Sequence, residues 1–93
     1  MIVSFRNRET ERIWVGEGSR RLPPWIHATA LRKLRWLHRA VTLADLASPR
    51  GNRLEALSGE RLGQFSIRVN DQWRICFRWT NRGVEDVEIV DYH

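Results

Sequence analysis

The stretch SIRVNDQWRICF, residues 66–77, restricts the fold more than any other part of the chain. Apolar and polar residues alternate on both sides of a short polar break, and this period of two predicts a β-hairpin with one buried face. We expect strands over residues 64–69 and 73–79, joined by a tight turn. The buried face would hold four apolar residues, Ile67, Val69, Ile75 and Phe77. Arg68 and Arg74 would then point to the opposite face of the sheet.

Two further segments with this period extend the hairpin into a meander of strands. One is RLEAL, residues 53–57, and the other is VEDVEIVDY, residues 84–92. Alternation in the last strand directs its core positions inward, Val87 and Ile89, and the positions between them outward, Glu88, Val90 and Tyr92. The open face would therefore carry three arginines, Arg68, Arg74 and Arg78, beside Tyr92, with Asp91 and His93 at the end of the chain.

The first half of the chain predicts helices. Residues 2–5 are typical of a short strand, and a short helix is expected over residues 8–15 with Asn7 as its cap. Over residues 25–41, apolar side chains recur every three or four positions, as in an amphipathic helix. The apolar face comprises Ile26, Ala30, Leu34, Leu37 and Val41, and the basic face comprises Arg32, Lys33, Arg35 and Arg39. A helical turn and a loop then lead to the strands.

This order of elements predicts a single α+β domain over residues 1–93, with the helices on one face of a mainly antiparallel sheet. The tryptophans expected in its core are Trp14, Trp36 and Trp73. No apolar run approaches the ~20 residues of a membrane span, and the N-terminus lacks a signal-peptide pattern. We therefore expect a cytoplasmic protein with no membrane contact. Cys76 is the only cysteine, which excludes an internal disulfide and a cysteine metal cluster.

Charge narrows the choice of partner. The formal net charge is +5, and every cation except Lys33 is an arginine. Arginine offers a planar fork of donors that fits phosphate groups, so this excess favours a polyanion such as nucleic acid. A compositional bias of the genome would give the same excess. From Val84 onward the chain is acidic, so the positive charge is not uniform.

The arginines of the open face allow two interpretations. Glu55, Glu88 or Asp91 could neutralise them in cross-strand pairs, or they could form a shallow phosphate-binding cleft. Other chemistries lack support in the sequence. There is no phosphate-loop or dinucleotide motif, and His27 and His38 do not have the spacing of metal ligands.

The combination NRLEALSGERLGQFSIRVNDQWRICFRW and VEIVDYH resembles the HigB-type killer proteins of the RelE/ParE toxin superfamily. The likeness covers nearly the whole chain and is strongest over residues 51–93. It implies two helices on a curved antiparallel sheet, and a toxin that cuts mRNA in the decoding site of the small (30S) ribosomal subunit without metal or cofactor. It also implies inhibition by a helix-turn-helix antitoxin (HigA-like), through which alone the toxin would reach operator DNA.

The resemblance also assigns residues. Arg74 matches the arginine that the family places on the scissile phosphate, and Tyr92 matches the C-terminal catalytic tyrosine, within an intact ending of Asp91, Tyr92 and His93. Relatives carry a histidine and a lysine where this chain has Glu55 and Ser58. Glu55 could act as the base instead, with Arg61 or Arg68 supplying charge; otherwise activity is weaker. The resemblance also extends to a branch of the family that carries LEALSG at the positions of residues 54–59.

Metal-free cleavage uses the 2′-hydroxyl of RNA as the nucleophile. Arg74, assisted by Arg68, would hold the charge of the transition state, and Glu55, Tyr92 and His93 are the candidates for proton transfer. Phosphate contacts are expected from Arg61 and Arg78, and docking on ribosomal RNA from Arg32 and Arg35 together with Arg20 and Arg21. Two alternatives stay open: a non-catalytic inhibitor of the same fold that poisons gyrase, and a plain RNA- or protein-binding module.

Overall fold

The structure, a computed structural model, describes residues 1–91; Tyr92 and His93 lie outside the described residues. Its two α-helices are α1, Arg8–Trp14, and α2, His27–Arg39. Its four strands are β1, Glu55–Ala56; β2, Phe65–Arg68; β3, Trp73–Thr80; and β4, Gly83–Asp91. The strands form one antiparallel sheet in the order β1-β2-β3-β4. The predicted α+β fold is confirmed.

The register of the β2–β3 hairpin explains how its two faces separate. Ile67 lies opposite Ile75, and Arg68 lies opposite Arg74. Both isoleucines are fully buried, as is Phe77, because this face packs against the helices. The alternation read from the sequence is therefore confirmed, and both arginines lie on the face away from the helices.

A bulge between β3 and β4 changes the alternation along the last strand. Val84 and Val87 are both fully buried although three positions separate them. Asp86, between them, has a φ of 54° and interrupts the register between Cys76 and Arg78. The extra residue of a bulge allows a strand to keep one face inward on both sides. Strict alternation predicted the inward positions Val87 and Ile89 correctly, but it does not predict this bulge.

The N-terminal segment runs beside β4 without forming a regular strand. It makes two isolated parallel bridges, Ile2 with Val84 and Phe5 with Val87. The contact is close at Gly83, where an added Cβ would lie 2.5 Å from the carbonyl oxygen of Met1. A side chain at that position would displace the N-terminal segment from the sheet edge.

The helices cover the inner face of the sheet, with side chains from both helices in the core. The Asn7 side chain accepts a hydrogen bond from the Thr10 N–H at 2.9 Å, as expected for a cap. The Thr10 hydroxyl in turn accepts a buried hydrogen bond of 2.9 Å from the N–H of Ile89. This contact fixes α1 on β4 next to the bulge.

The outer limits of the long helix differ from the prediction. Val41 lies after the helix and is 84% exposed, and Trp25 lies in a 3-10 turn before it and is 77% exposed. Lys33 was placed on the basic face, and this is wrong, because the residue is only 6% exposed. The three predicted core tryptophans, Trp14, Trp36 and Trp73, are partly buried and pack against the core.

Two 3-10 turns, Leu43–Ala47 and Arg50–Asn52, connect α2 to β1. The first is capped by a reciprocal pair of hydrogen bonds: the Thr42 side chain accepts from the backbone N–H of Asp45, and the Asp45 side chain accepts from the backbone N–H of Thr42. The backbone N–H groups of Thr42 and Val41 donate to the Asp45 carboxylate at 2.9 Å and hold its pKa below the usual range. Within residues 1–91, no helix is long and apolar enough to cross a membrane.

Candidate active site on the open face of the sheet

The antiparallel register places one residue from each strand in a row across the open face. Glu55 pairs with Ser66, Ser66 with Cys76, and Cys76 with Glu88. The neighbouring row contains Arg68, Arg74 and Val90. Because residues that lie opposite each other in a sheet share a face, Glu55 and Arg74 project from the same side.

Arg74 is held by oxygen atoms from β2 and from the segment that precedes β1. Its Nε donates to the Ser66 hydroxyl at 2.7 Å, and its Nη2 donates to the Arg53 carbonyl at 2.5 Å and the Ser66 carbonyl at 3.3 Å. Arg74 is only 7% exposed, and Ser66 is fully buried. Contacts at two nitrogen atoms fix the plane of the guanidinium group, so Arg74 is oriented before any ligand binds.

The other arginines of this face are bound to carboxylates. The Arg61 Nη1 lies 3.2 Å from the Glu88 carboxylate, and the Arg78 Nε lies 3.3 Å from that of Asp86. Arg68 pairs with Asp71 in the hairpin turn. Acidic side chains therefore neutralise these three arginines, which is one of the two interpretations that the sequence allowed. Of their three partners, only Glu88 was among the acids predicted for this role. The pair with Asp71 was not predicted, because it forms within the hairpin turn and not between strands. The pair with Asp86 was not predicted, because Asp86 lies in the bulge, where alternation does not hold.

Cys76 lies among these charged groups but is fully buried. Burial raises the pKa of its thiol, and the nearby charges act in opposite directions: Arg61 and Arg74 lower it, whereas Glu88 raises it. A thiol with a raised pKa stays protonated at neutral pH, so Cys76 is suited to packing rather than to nucleophilic chemistry.

The predicted proton-transfer residues lie in different places. Glu55 is exposed on β1, in the row next to Arg74. Ser58 is exposed at the start of a 3-10 turn. Tyr92 and His93 lie outside the described residues, and their predicted roles remain predictions. Asp91, the last described residue, pairs with Trp73 and accepts a hydrogen bond of 3.0 Å from the Gln72 side chain.

A second group of predicted residues lines a groove on α2. The groove has a volume of about 460 Å³ and is lined by Arg32, Arg35, Trp36, Arg39, Ala40 and Asp45. The three arginines are exposed, and none of them makes an ion pair within residues 1–91. A further concavity of about 450 Å³ lies beside α1 and includes Arg20 and Arg21. These surfaces expose positive charge, and the predicted contact of Arg32 and Arg35 with ribosomal RNA remains a prediction.

Sequence reasoning missed the residues that hold Arg74. Ser66 lies in the predicted strand 64–69 and Arg53 in the predicted strand 53–57, and neither was predicted to contact Arg74. Alternation does place Ser66 on the face of Arg74, so the sequence carried a signal for that contact. No local pattern signals the Arg53 carbonyl, because the chain reaches it only after folding back from α2.

Comparison with known proteins agrees with this architecture. Residues 3–93 match the family described as the RelE-like toxin of the type II toxin–antitoxin system HigB. The chain is 38% identical to Toxin HigB-1 of Vibrio cholerae serotype O1, over all of this chain and 98% of that protein. It is also 31% identical to an uncharacterized protein of Haemophilus influenzae, over 77% of this chain and 71% of that protein. The chain therefore belongs to the HigB family of RelE-like toxins of type II toxin–antitoxin systems, whose toxins are each partnered by an antitoxin.

Proposed function

We propose that this toxin is a ribosome-dependent mRNA endonuclease that works without metal. The observation that carries the proposal is Arg74, whose guanidinium is oriented by Ser66 and by the Arg53 carbonyl on the open face. Oriented donors stabilise developing charge more effectively than mobile ones, because they need no reorganisation during the reaction. Membership of the HigB family supplies the toxin context in which such a group is useful.

The reaction is an internal transfer within the RNA. The 2′-hydroxyl loses its proton to a base and attacks the adjacent phosphorus, and the bond to the 5′-oxygen of the next nucleotide breaks. The products are a 2′,3′-cyclic phosphate and a 5′-hydroxyl, which receives a proton from an acid. Arg74 stabilises the negative charge on the phosphorane oxygen atoms, with Arg68 assisting after it leaves Asp71.

Proton transfer is assigned to three groups. Glu55 is exposed on the open face and suits the role of base, since a carboxylate that faces solvent is accessible to a substrate hydroxyl. Tyr92 and His93 are the candidates for the acid, by resemblance to the family. General acid–base groups contribute about 10²–10⁴-fold each, so losing one should weaken cleavage without abolishing it.

Contacts with RNA phosphates are assigned to the remaining predicted arginines. Arg32 and Arg35 on α2, with Arg20 and Arg21 beside α1, would contact ribosomal RNA phosphates, and Arg61 and Arg78 would approach the mRNA backbone. Phosphate contacts of this kind position a protein without reading sequence. The ribosome would then align the mRNA, and alignment accounts for a large part of many catalytic barriers. Free RNA should therefore be a poor substrate.

The antitoxin is proposed to be a helix-turn-helix protein like HigA. Through it, and only through it, the toxin would associate with operator DNA. The basic surfaces of the toxin, with a net charge of +5 for the chain, suit an acidic surface on such a partner as well as RNA. The ribosome and the antitoxin would then compete for these basic surfaces. The toxin would therefore bind the ribosome only after the antitoxin is released.

Expression in growing cells tests the proposed activity. Wild type, Arg74→Ala and the control Arg82→Ala are induced, and 5′ ends of a translated message are mapped by primer extension. Arg82 is an exposed arginine beside Glu85 in the turn between β3 and β4, at the other end of β3 from Arg74. We expect cuts and growth arrest with wild type and Arg82→Ala, and neither with Arg74→Ala. Arrest without cuts would favour a gyrase poison, and absence of both from wild type would favour a binding module.

A further inference from the structure

A buried lysine on α2 has no part in the proposed chemistry. Lys33, the only lysine of the chain, is 6% exposed, and its Nζ donates a hydrogen bond to the Oδ1 of Asn52. The Nζ also lies 6.0 Å from the centroid of the Trp36 ring. Burying a lysine costs free energy unless its ammonium group has a partner. The hydrogen bond to Asn52 is therefore a buried contact that the folded protein needs in order to accommodate Lys33.

Asn52 uses both ends of its side chain. It is fully buried, and while its Oδ1 accepts from Lys33, its Nδ2 donates to the Leu46 carbonyl at 3.2 Å. Its backbone N–H donates to the Pro49 carbonyl at 3.1 Å. Asn52 thus fixes the segment between α2 and β1 against the helix, and it leaves the next peptide little freedom to rotate.

The next peptide carries the carbonyl that binds Arg74. Arg53 has a φ of 45°, in the left-handed region that residues with a side chain seldom adopt. Its N–H donates to the Arg50 carbonyl at 3.0 Å, and its own carbonyl accepts from the Arg74 Nη2 at 2.5 Å. Such a backbone conformation persists where its surroundings hold it, and Asn52 is the adjacent residue with a fully anchored side chain.

We propose that Lys33 and Asn52 are positioning residues for Arg74, acting through the Arg53 carbonyl. The inference rests on the proposed catalytic role of Arg74. A continuous path leads from α2 to the open face: Lys33 fixes Asn52, Asn52 fixes the Arg53 peptide, and that peptide and Ser66 together orient the guanidinium. The helical layer would thereby set the geometry of a group on the opposite side of the sheet.

The protonation of Lys33 is consistent with this role. Burial lowers the pKa of Lys33, and the positive charges of Arg32 and Arg68 lower it further. Either form of the amine can donate a hydrogen bond to Asn52, so the path does not depend on the charge. The partner of Lys33 is the neutral amide of Asn52 and not a carboxylate. This is what we expect of a contact that positions a backbone segment rather than neutralises a charge.

Three variants test the path: Lys33→Met, which keeps the length of the stem, Asn52→Leu, and the double variant. Cleavage of mRNA on programmed ribosomes is followed at saturating toxin in a single turnover. We expect each single variant to lower the rate about tenfold, within the loss that small misplacements of catalytic groups produce, with the half-saturating toxin concentration unchanged. The double variant should lose no more than the worse single variant, because both break one path.

A control separates positioning from loss of stability. Leu37 is fully buried on the same helix and has no polar side-chain atom, so Leu37→Ala should lower stability without removing a hydrogen bond of the path. At temperatures where all variants are folded, Leu37→Ala should cleave at the wild-type rate. If the Lys33 and Asn52 variants also cleave at that rate, or if they slow cleavage no more than Leu37→Ala does, the inference is overturned.

A spectroscopic measurement keeps the test independent of activity. The Nε–Hε resonance of Arg74 in a nitrogen–proton correlation spectrum reports its hydrogen bond to Ser66 and its exchange with water. Lys33→Met should shift this resonance and speed its exchange at least tenfold, and Leu37→Ala should not. An unchanged resonance in Lys33→Met would overturn the path even if cleavage fell. Undiminished cleavage by Arg74→Ala would instead refute the proposed function and leave this structural test standing.

Discussion

The arginines of the open sheet face and those of the α2 groove are the same residue type in two different states. On the sheet face, the side chains of Arg68, Arg74 and Arg78, and that of Arg61 from the adjacent 3-10 turn, are each held by hydrogen bonds or ion pairs. In the groove, Arg32, Arg35 and Arg39 surround Trp36 and are exposed, with no ion pair inside residues 1–91. The contacts on the sheet fix the direction of its cations, whereas the cations of the helix are exposed and make no ion pair with residues 1–91.

This difference corresponds to two uses of positive charge. A fixed guanidinium can meet a transition state without rearrangement, which favours a role in the chemical step. A mobile, solvated arginine acts over longer distances and gains from counterion release, which favours association and makes it sensitive to salt. The two groups should therefore respond to different measurements, and the following variants probe that division from the largest expected effect to the smallest.

Among these variants, Arg74→Lys should cause the largest loss of cleavage. Lysine keeps the positive charge but replaces the planar fork with a single ammonium group, which cannot reproduce the contacts with both Ser66 and the Arg53 carbonyl. We expect the single-turnover cleavage rate on ribosomes to fall about 10²-fold, with ribosome binding within about twofold of wild type. A variant that cleaves at the wild-type rate would mean that charge alone suffices and that the fixed geometry is irrelevant.

Ser66→Ala should destabilise the fold as well as loosen Arg74. The hydroxyl is fully buried and accepts the 2.7 Å hydrogen bond from Nε. Removing it leaves a buried donor without that partner, at a cost of about 1–3 kcal/mol in unfolding free energy. Denaturant unfolding with the antitoxin absent measures this loss. A change below 0.5 kcal/mol (about the scatter expected of a neutral surface substitution) would show that Ser66 does not hold Arg74 in solution.

Charge reversal in the groove should affect association but not chemistry. For Arg32→Glu combined with Arg35→Glu, we expect ribosome affinity to fall about tenfold at moderate salt. The slope of log affinity against log salt should decrease by roughly 1.5, since each lost phosphate contact contributes about 0.7–0.9. Co-sedimentation across a salt series measures both. Undiminished co-sedimentation of Arg32→Glu at low salt would refute the docking role.

Asp71→Asn should have the smallest effect and tests the division from the opposite direction. Asp71 is 99% exposed at its side chain, and exposed ion pairs contribute about 0–1 kcal/mol. We expect the unfolding free energy to change by less than about 1 kcal/mol and cleavage not to fall, because Arg68 becomes available to RNA. A marked loss of cleavage would show that the pair itself orients Arg68 in the active form.

The sequence was sufficient for the parts of the fold that depend on periodicity. The alternation around the hairpin turn placed Ile67 and Ile75 inside and Arg74 outside, because one face of an antiparallel sheet must be buried. Spacing on α2 likewise identified Leu34 and Leu37 as core residues. Periodicity failed where the chain breaks its own pattern, as at Asp86, whose left-handed backbone creates the bulge.

The site was predictable in its residue types but not in its contacts. Arg74 could be named from alternation and from resemblance, but its orientation depends on Arg53, which approaches only through the turns that follow α2. Lys33 illustrates the same limit. The spacing on the amphipathic helix predicts that Lys33 lies on the basic face with the arginines. In the structure it is buried and donates a hydrogen bond to Asn52, which is 19 positions away. Contacts of this range are a product of tertiary folding and leave no local pattern.

The most direct test of the central claim is cleavage by purified toxin of an mRNA bound to programmed ribosomes, with and without a single 2′-deoxy nucleotide at the mapped cut position. The account predicts metal-independent cleavage in the decoding site, cyclic phosphate ends, loss of cleavage with the 2′-deoxy message, and loss of about 10²–10³-fold in rate with Arg74→Ala. Equal cleavage of the deoxy message, or by Arg74→Ala, would contradict it.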